Sequence, residues 1–326
     1  MMRSGNIPSD KLLAMYASLL KIRRVQLKIE EHYHENAMKT PVHLCLGQEA
    51  VSVGVCANLK TRDMIFSNHR SHGHYLAKGG DLKAMMAELY CKETGCAKGR
   101  GGSMHLIDKS VGHFGSSAIV GGGIPHAVGA AFAFKMRKED LVAVTFFGDA
   151  ASEQGVFYES MNWAALKKLP VIFVCENNHY SVCSHIDVRQ ANYDISMRAR
   201  AFDIPSMRVD GMNLLEVCEK SQAAIEMARA GNGPYLLECV VQRWRAHAGA
   251  GDPQKEQYRK TEDMDESRRR DPLKDFTAYL LDHRAAGQDQ LDVVDRQIDQ
   301  EIEAAFRFAR ESPLPDPAGL EKYLYC

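Results

Sequence analysis

Apolar positions along the chain follow distinct rhythms, and each rhythm predicts a different kind of element. Between residues 9 and 36, Leu12, Leu13, Met15, Tyr16, Leu19 and Leu20 recur at helical spacing, the mark of a helix that buries one face. Ser9 or Asp10 is placed to cap its start. From residue 122 onward, short runs without alternation, such as "LVAVTFF" and "VIFVCE", interleave with helical patterns. A strand that is apolar on both sides is covered on both sides, so these runs predict a parallel sheet between layers of helices. The expected order is helix 122–137, strand 141–147, helix 153–167, strand 170–176, a shorter strand near 206–209, helix 213–230 and strand 234–240.

The first third of the chain is more mixed. "TPVHLCLGQEAVSVGVCANL" passes from an extended piece into a helix of small residues, and "DMIFSNHRSHGHYLAKG" is a short strand running into a loop crowded with His and Arg. Residues 81–91 form an amphipathic helix, and residues 95–123 a long Gly/Ser loop. Loops of that length inside a compact chain usually serve a function. No repeat, low-complexity tract or linker interrupts the pattern. The expected fold is α/β: a doubly wound, largely parallel sheet with helices on both faces, plus helical N- and C-terminal extensions. One domain is expected over 1–326, with an N-terminal helix at 9–36, a core at 40–242, a glycine-containing, mobile active-site loop at 243–262 and charged helices at 263–283 and 289–311.

Composition narrows the class. The 326 residues are 45% hydrophobic, enough for a core that needs neither disulfides nor metals. A net charge of -1 gives no general field for nucleic acid or acidic membrane, so any phosphate binding is local. Nine scattered cysteines without a C-x-x-C pair read as reduced thiols. No segment approaches the roughly 18 apolar residues of a membrane span, and no signal peptide is visible at the N-terminus. The expected location is cytoplasmic, without nucleic-acid or membrane partners.

The candidate chemistry lies at two strand ends. In open parallel sheets ligands bind beyond the carboxyl ends of the strands. Asp149, after "FFG", and Asn178, after "VCEN", both sit there, 29 residues apart, the length of one helix-and-strand crossover. Carboxylate and amide oxygens are hard ligands that suit Mg2+ or Ca2+, and Mg2+ commonly takes further ligands from substrate phosphates. The pair therefore predicts a metal–diphosphate site.

The stretch "GDAASEQGVFYESMNWAALKKLPVIFVCENN" resembles the thiamine-diphosphate signature, which runs from Gly-Asp-Gly to Asn-Asn. With "VHLCLGQEA", "HRSHG", "GCAKGRGGSMH", "AIVGGGIPHAVGAA" and "RWRAHAGAGDPQKEQYR" in family order, nearly the whole chain is similar to the α subunit of two-subunit 2-oxo acid dehydrogenase E1 components of the pyruvate, acetoin and branched-chain type. The resemblance implies Mg2+ on Asp149, Asn178 and the backbone carbonyl of Tyr180. It implies thiamine diphosphate held by His69, Arg70, Ala118, Val120, Gly148, Asp149, Ala150, Ala151, Asn178 and His247, with Ala150 and Ala151 presenting N–H groups at the start of the following helix. His43 and His247 are implied to face the reacting carbon, with His72 a third, weaker catalytic candidate. It further implies a β subunit that supplies the pyrimidine-binding domain and the activating glutamate in an α2β2 heterotetramer. The reaction implied is decarboxylation of a small 2-oxo acid, with the acyl group passing to an acceptor such as a lipoyl-bearing E2.

Three departures stand out: Ala150 where glycine is usual after the aspartate, His69 where pyruvate-type enzymes carry tyrosine, and Ala118 where they carry glycine. Ala248 follows the loop histidine where mitochondrial pyruvate enzymes carry a phosphorylated serine. Alternatives are an acetoin dehydrogenase α subunit, the amino-terminal half of a split transketolase-like enzyme, or a non-catalytic binding subunit on the same fold. A nicotinamide enzyme is disfavoured, because no G-x-G-x-x-G follows an early strand.

Overall fold

The structure, a computed structural model, describes residues 7–251, 258–259, 265, 269–319 and 321–322. Helix α1 (Ser9–Tyr33) buries Leu12, Met15, Leu19, Ile22, Val25 and Ile29 along one face, as the spacing predicts. Its start differs from expectation: Pro8 holds the N-cap position without a side-chain cap, and Asp10 lies inside the first turn. There the carboxylate faces the positive end of the helix dipole. Helix α2 (Glu49–Cys56), strand β1 (Met64–Ser67), helices α3 (His72–Ala77) and α4 (Leu82–Leu89), and strand β2 (His113–Ser116) follow.

Helix α5 (Gly123–Arg137), strand β3 (Ala143–Gly148), helix α6 (Gly155–Lys167) and strand β4 (Val171–Asn177) make up the first crossover. A small antiparallel ribbon, β5 (Tyr180–Ser181) with β6 (Ser184–His185), leads to β7 (Ser206–Asp210), helix α7 (Leu214–Arg229) and β8 (Tyr235–Val240). The six long strands form one sheet in the order β2–β1–β3–β4–β8–β7, every neighbouring pair parallel. All seven residues of β4 are buried, because helices cover both its faces. On one face α5 and α6 pack Ile124, Phe134, Phe157 and Met161 onto Phe147 and Phe173. On the other, α2 and α7 pack Val51, Val55, Val217 and Ile225 onto Val144 and Ile172.

A third apolar cluster joins α1 and α4 to the C-terminal helices α8 (Pro272–Asp282) and α9 (Gln288–Glu311) through Leu19, Met85, Leu280, Ile302 and Phe306. Arg23 of α1 pins this layer to the sheet layer. Its guanidinium pairs with Glu49 at 2.6 Å and with Asp271, the N-cap of α8, at 3.0 Å, and it lies 4.3 Å from the Trp244 ring centre. Glu49 is fully buried. Loss of Arg23 leaves the buried Glu49 carboxylate without its ion-pair partner, at a cost of about 3–5 kcal/mol.

Three elements depart from the sequence expectation. The Gly/Ser segment 95–123 holds an edge strand, β2, and the His-rich loop after β1 closes into α3. Residues Asp149–Glu153 form a separate 3-10 turn, so α6 begins two residues later than expected. Residues 252–257 and 260–262 of the expected active-site loop, and most of 263–268 in the expected helix after it, lie outside the described residues.

Candidate active site

The carboxyl ends of β1, β3 and β4 open into one cavity of about 200 Å3. After β1 the side chain of Asn68 accepts a hydrogen bond from the Arg70 N–H at 2.8 Å, turning the chain so that Arg70 points inward. The Arg70 guanidinium is 5% exposed and donates to two backbone carbonyls, Leu44 at 2.6 Å and His247 at 3.3 Å. Burial, with the neighbouring Arg243, lowers its pKa to about 10. Among the described residues it makes no ion pair with a carboxylate, so this buried cation is suited to an anionic ligand.

After β3 come Gly148 and Asp149. A Cβ built on Gly148 would meet nothing within 4 Å, which leaves the mouth of the strand open. Asp149 is 2% exposed; burial raises its pKa, opposed by the guanidinium of Arg189, which binds both Asp149 and Glu153. Ala150 and Ala151 lie in the 3-10 turn, not in the first turn of α6, so the expected dipole of that helix does not bear directly on their N–H groups. Ala150 is absent from the residues with positive φ, so its methyl group carries no left-handed strain.

After β4 the two asparagines divide their tasks. Asn177 is fully buried and structural: it donates to Glu238 at 2.8 Å and accepts from the His179 N–H at 3.1 Å. Asn178 lines the cavity, accepts from the Tyr180 N–H at 3.1 Å, and donates to Gln48 at 3.0 Å. His179 takes φ of 67°, which reverses the chain into the β5–β6 ribbon. Asp149, Asn178 and Tyr180 thus line one space, and their oxygens are hard donors of the kind that hold Mg2+. Arg189 now neutralises Asp149, so a dication there would have to displace that guanidinium.

The remaining wall is made by a long-range pairing. Trp244 N–H donates to the Leu46 carbonyl at 3.1 Å and Gly249 N–H to the Val42 carbonyl at 2.7 Å, laying the segment after β8 along residues 42–46. Gly47 permits this approach: φ is +87°, and a Cβ would fall 2.3 Å from the Gln242 carbonyl. His43 and His247 are thereby brought to 5.0 Å between ring centres, and His69 lies 4.7 Å from the first and 5.4 Å from the second. Ala118 and Val120 lie on the same cavity, with Ile119 and Val120 exposed on its rim.

His72 is placed elsewhere. It is fully buried, with Nδ1 3.2 Å from Gln26 Oε1 and Nε2 2.7 Å from Ser103 Oγ, and it does not line the cavity. Both ring nitrogens are engaged inside the fold, so the third catalytic candidate expected from "RSHG" stands apart from the cavity. Sequence reasoning also passed over Gln48, Thr145 and Glu176, which line the cavity. Glu176 lies 3.2 Å from His74 Nε2, and His74 Nδ1 lies 2.6 Å from Ser67 Oγ, so a buried polar chain runs behind the site. Gln48 Nε2, Thr145 Oγ1 and His43 Nδ1 are buried without a hydrogen-bond partner. Three orphaned polar atoms around one cavity fit a polar ligand.

Burial pushes the imidazole pKa values down, to about 3 for His43, 2 for His69, 4 for His72, 3 for His113 and 4 for His247. In the unfolded chain these rings protonate near their ordinary value of about 6.5. The unfolded form therefore takes up protons first, and stability is lost as pH falls below that value. The urea midpoint should drop between about pH 6.5 and 5, above the carboxylate range, and His113→Phe should flatten the drop. A midpoint constant across that window would show that these rings titrate normally in the fold.

Among the described residues no helix is long and apolar enough to cross a membrane. The dehydrogenase E1 component family model matches residues 17–318. The chain is 40% identical over 321 residues to the α subunit of an acetoin:2,6-dichlorophenolindophenol oxidoreductase of Bacillus subtilis (strain 168), covering 98% of this chain and 95% of that one. It is 37% identical over 328 residues to a pyruvate dehydrogenase E1 component subunit α of Porphyra purpurea, covering 98% and 94%. A testis-specific, mitochondrial form of the same subunit from Rattus norvegicus is 34% identical over 317 residues, with 97% and 80% covered.

Proposed function

The chain belongs to the dehydrogenase E1 component family, and from that premise we propose that it is the α subunit of a thiamine-diphosphate-dependent 2-oxo acid dehydrogenase that binds its cofactor through Mg2+. The observation that carries the reading is Arg70, a buried cation bonded to carbonyls, in one cavity with Asp149 and Asn178. When bound, the cofactor supplies a nucleophilic carbon and an electron sink for decarboxylation.

In this reading Arg70 grips the diphosphate, aided by backbone N–H groups of Ala150 and Ala151. Asp149, Asn178 and the Tyr180 carbonyl give the ion three hard oxygens, with Arg189 moving aside. Gly148, Ala118, Val120 and His69 line the cavity and would border the bound group. His43 and His247, neutral at pH 7, offer donor and acceptor nitrogens to the oxygens of a 2-oxo acid and can hold a proton during turnover. Among the described residues there is one six-stranded sheet and no second domain for the cofactor's pyrimidine. A β subunit supplies that domain and the activating glutamate in an α2β2 assembly, and a lipoyl-bearing E2 is the natural acceptor. The eight cysteines among the described residues are free thiols, which supports a cytoplasmic location. Acetoin is the second substrate reading, favoured by the similarity to the Bacillus subtilis subunit.

The test is reconstitution with a β-type partner, thiamine diphosphate and Mg2+, followed by dye-coupled oxidation of pyruvate, branched 2-oxo acids and acetoin. Turnover of at least one is expected, and His247→Ala should lower kcat by about 100- to 1,000-fold while cofactor still binds. Full activity in that variant removes His247 from the chemistry.

A further inference from the structure

His69 borders the cofactor space, but the proposed function gives its ring nitrogens no task. The ligating nitrogens of His43, His69 and His247 all lie within 4.8 Å of one another. Three imidazoles on a four-coordinate ion with Zn–N bonds of about 2.0–2.1 Å stand roughly 3.4 Å apart, so closing on an ion takes only modest rotations of side chains. The backbone is already fixed: one ring stands on residues 42–46, one on the turn after β1, and one on the segment bonded back to residues 42–46. His43 is 6% exposed and its Nδ1 is buried without a hydrogen-bond partner, so the protein does not satisfy all of the polar atoms of this ring.

We propose that His43, His69 and His247 form a second, separate metal site in the cavity, one that takes a borderline transition-metal dication of the Zn2+ class. Ligand chemistry distinguishes it from the hard site. Imidazole nitrogens suit Zn2+, Ni2+ and Cu2+, whereas the Asp149 and Asn178 oxygens suit Mg2+. Neutral imidazole is the ligating form, and burial beside Arg70 keeps the three rings neutral at pH 7. Arg70 opposes a bare dication, so the fourth position, which faces the cavity, is taken by an anion or hydroxide. An ion there occupies the nitrogens that the proposed reaction needs, so the site is inhibitory and sensitive to the local supply of Zn2+.

The experiment uses the full chain, alone and with a β-type partner, stripped with chelator and titrated without thiamine diphosphate. Co2+ serves as a spectroscopic probe and Zn2+ is followed by competition with a chromophoric chelator. One equivalent should bind, with the intense visible absorption of four-coordinate Co2+ carrying nitrogen ligands. His69→Tyr should weaken Zn2+ binding by at least about 100-fold, more than the 10- to 100-fold typical of losing an outer partner. Asp149→Asn should leave Zn2+ binding unchanged, which separates this site from the Mg2+ reading. The wild-type Co2+ spectrum decides even if a variant fails to fold. Octahedral Co2+ only, or Zn2+ affinity that survives His69→Tyr but falls in Asp149→Asn, overturns the proposal.

Discussion

Replacing Asp149 with asparagine should reduce the Mg2+-dependent affinity for thiamine diphosphate by more than about 100-fold, beyond the loss seen when only a partner behind a metal ligand is removed. The substitution keeps the shape of the side chain at a site that is 2% exposed. It removes the one carboxylate that the proposed metal set contains. The fold should tolerate it, because burial already raises the Asp149 pKa and the charge is disfavoured there except for its partner Arg189. Calorimetric titration with thiamine diphosphate, with and without Mg2+, measures the effect, and an unchanged thermal midpoint separates lost binding from lost structure. An asparagine variant that binds the Mg2+ complex as tightly as the parent would remove Asp149 from the metal set.

The second large effect is all-or-none. The purified chain should show no decarboxylation on its own, and activity should appear on titration with a β-type partner and saturate at a 1:1 ratio. The structural reason is the rim of the cavity. Ile119 is 71% exposed and Val120 49%, beside a site that the described residues leave open on that side. Phe132, Met136, Trp163 and Leu166 add exposed apolar area on α5 and α6. Exposed apolar residues in this number are what a partner contact would cover. Carbon dioxide release from the chain alone, at rates comparable with the mixture, would show that the site is complete without a partner.

The sheet was legible because its central strands are apolar on both faces. "LVAVTFF" and "VIFVCE" became β3 and β4 within two residues of the expected bounds, and the spacing of Asp149 and Asn178 brought them to one cavity. What escaped was set by tertiary contact. β2 is four residues, His-Phe-Gly-Ser, with no strand pattern of its own, and it exists because β1 offers an edge. His72 looks catalytic in "RSHG", yet its place in the fold is set by Gln26 and Ser103, which are remote in sequence. Glu176 was read as the end of an apolar strand, and only folding sets it against His74. Arg189 gives no signal at all until the ribbon after β4 returns it to Asp149.

The backbone bonds that lay Gly249 on Val42 and Trp244 on Leu46 also order events during synthesis. A nascent chain emerges from its amino end, and by the time β8 has been made every strand of the sheet is available to pair. The cavity is still missing a wall, because His247 and the carbonyl it offers to Arg70 come after that point. Chain order thus places the strands of the scaffold first and the last wall of the pocket after them. A chain stopped at residue 242 would carry every strand of the sheet in its sequence, but neither His247 nor the helices that complete the core around α1 and α4.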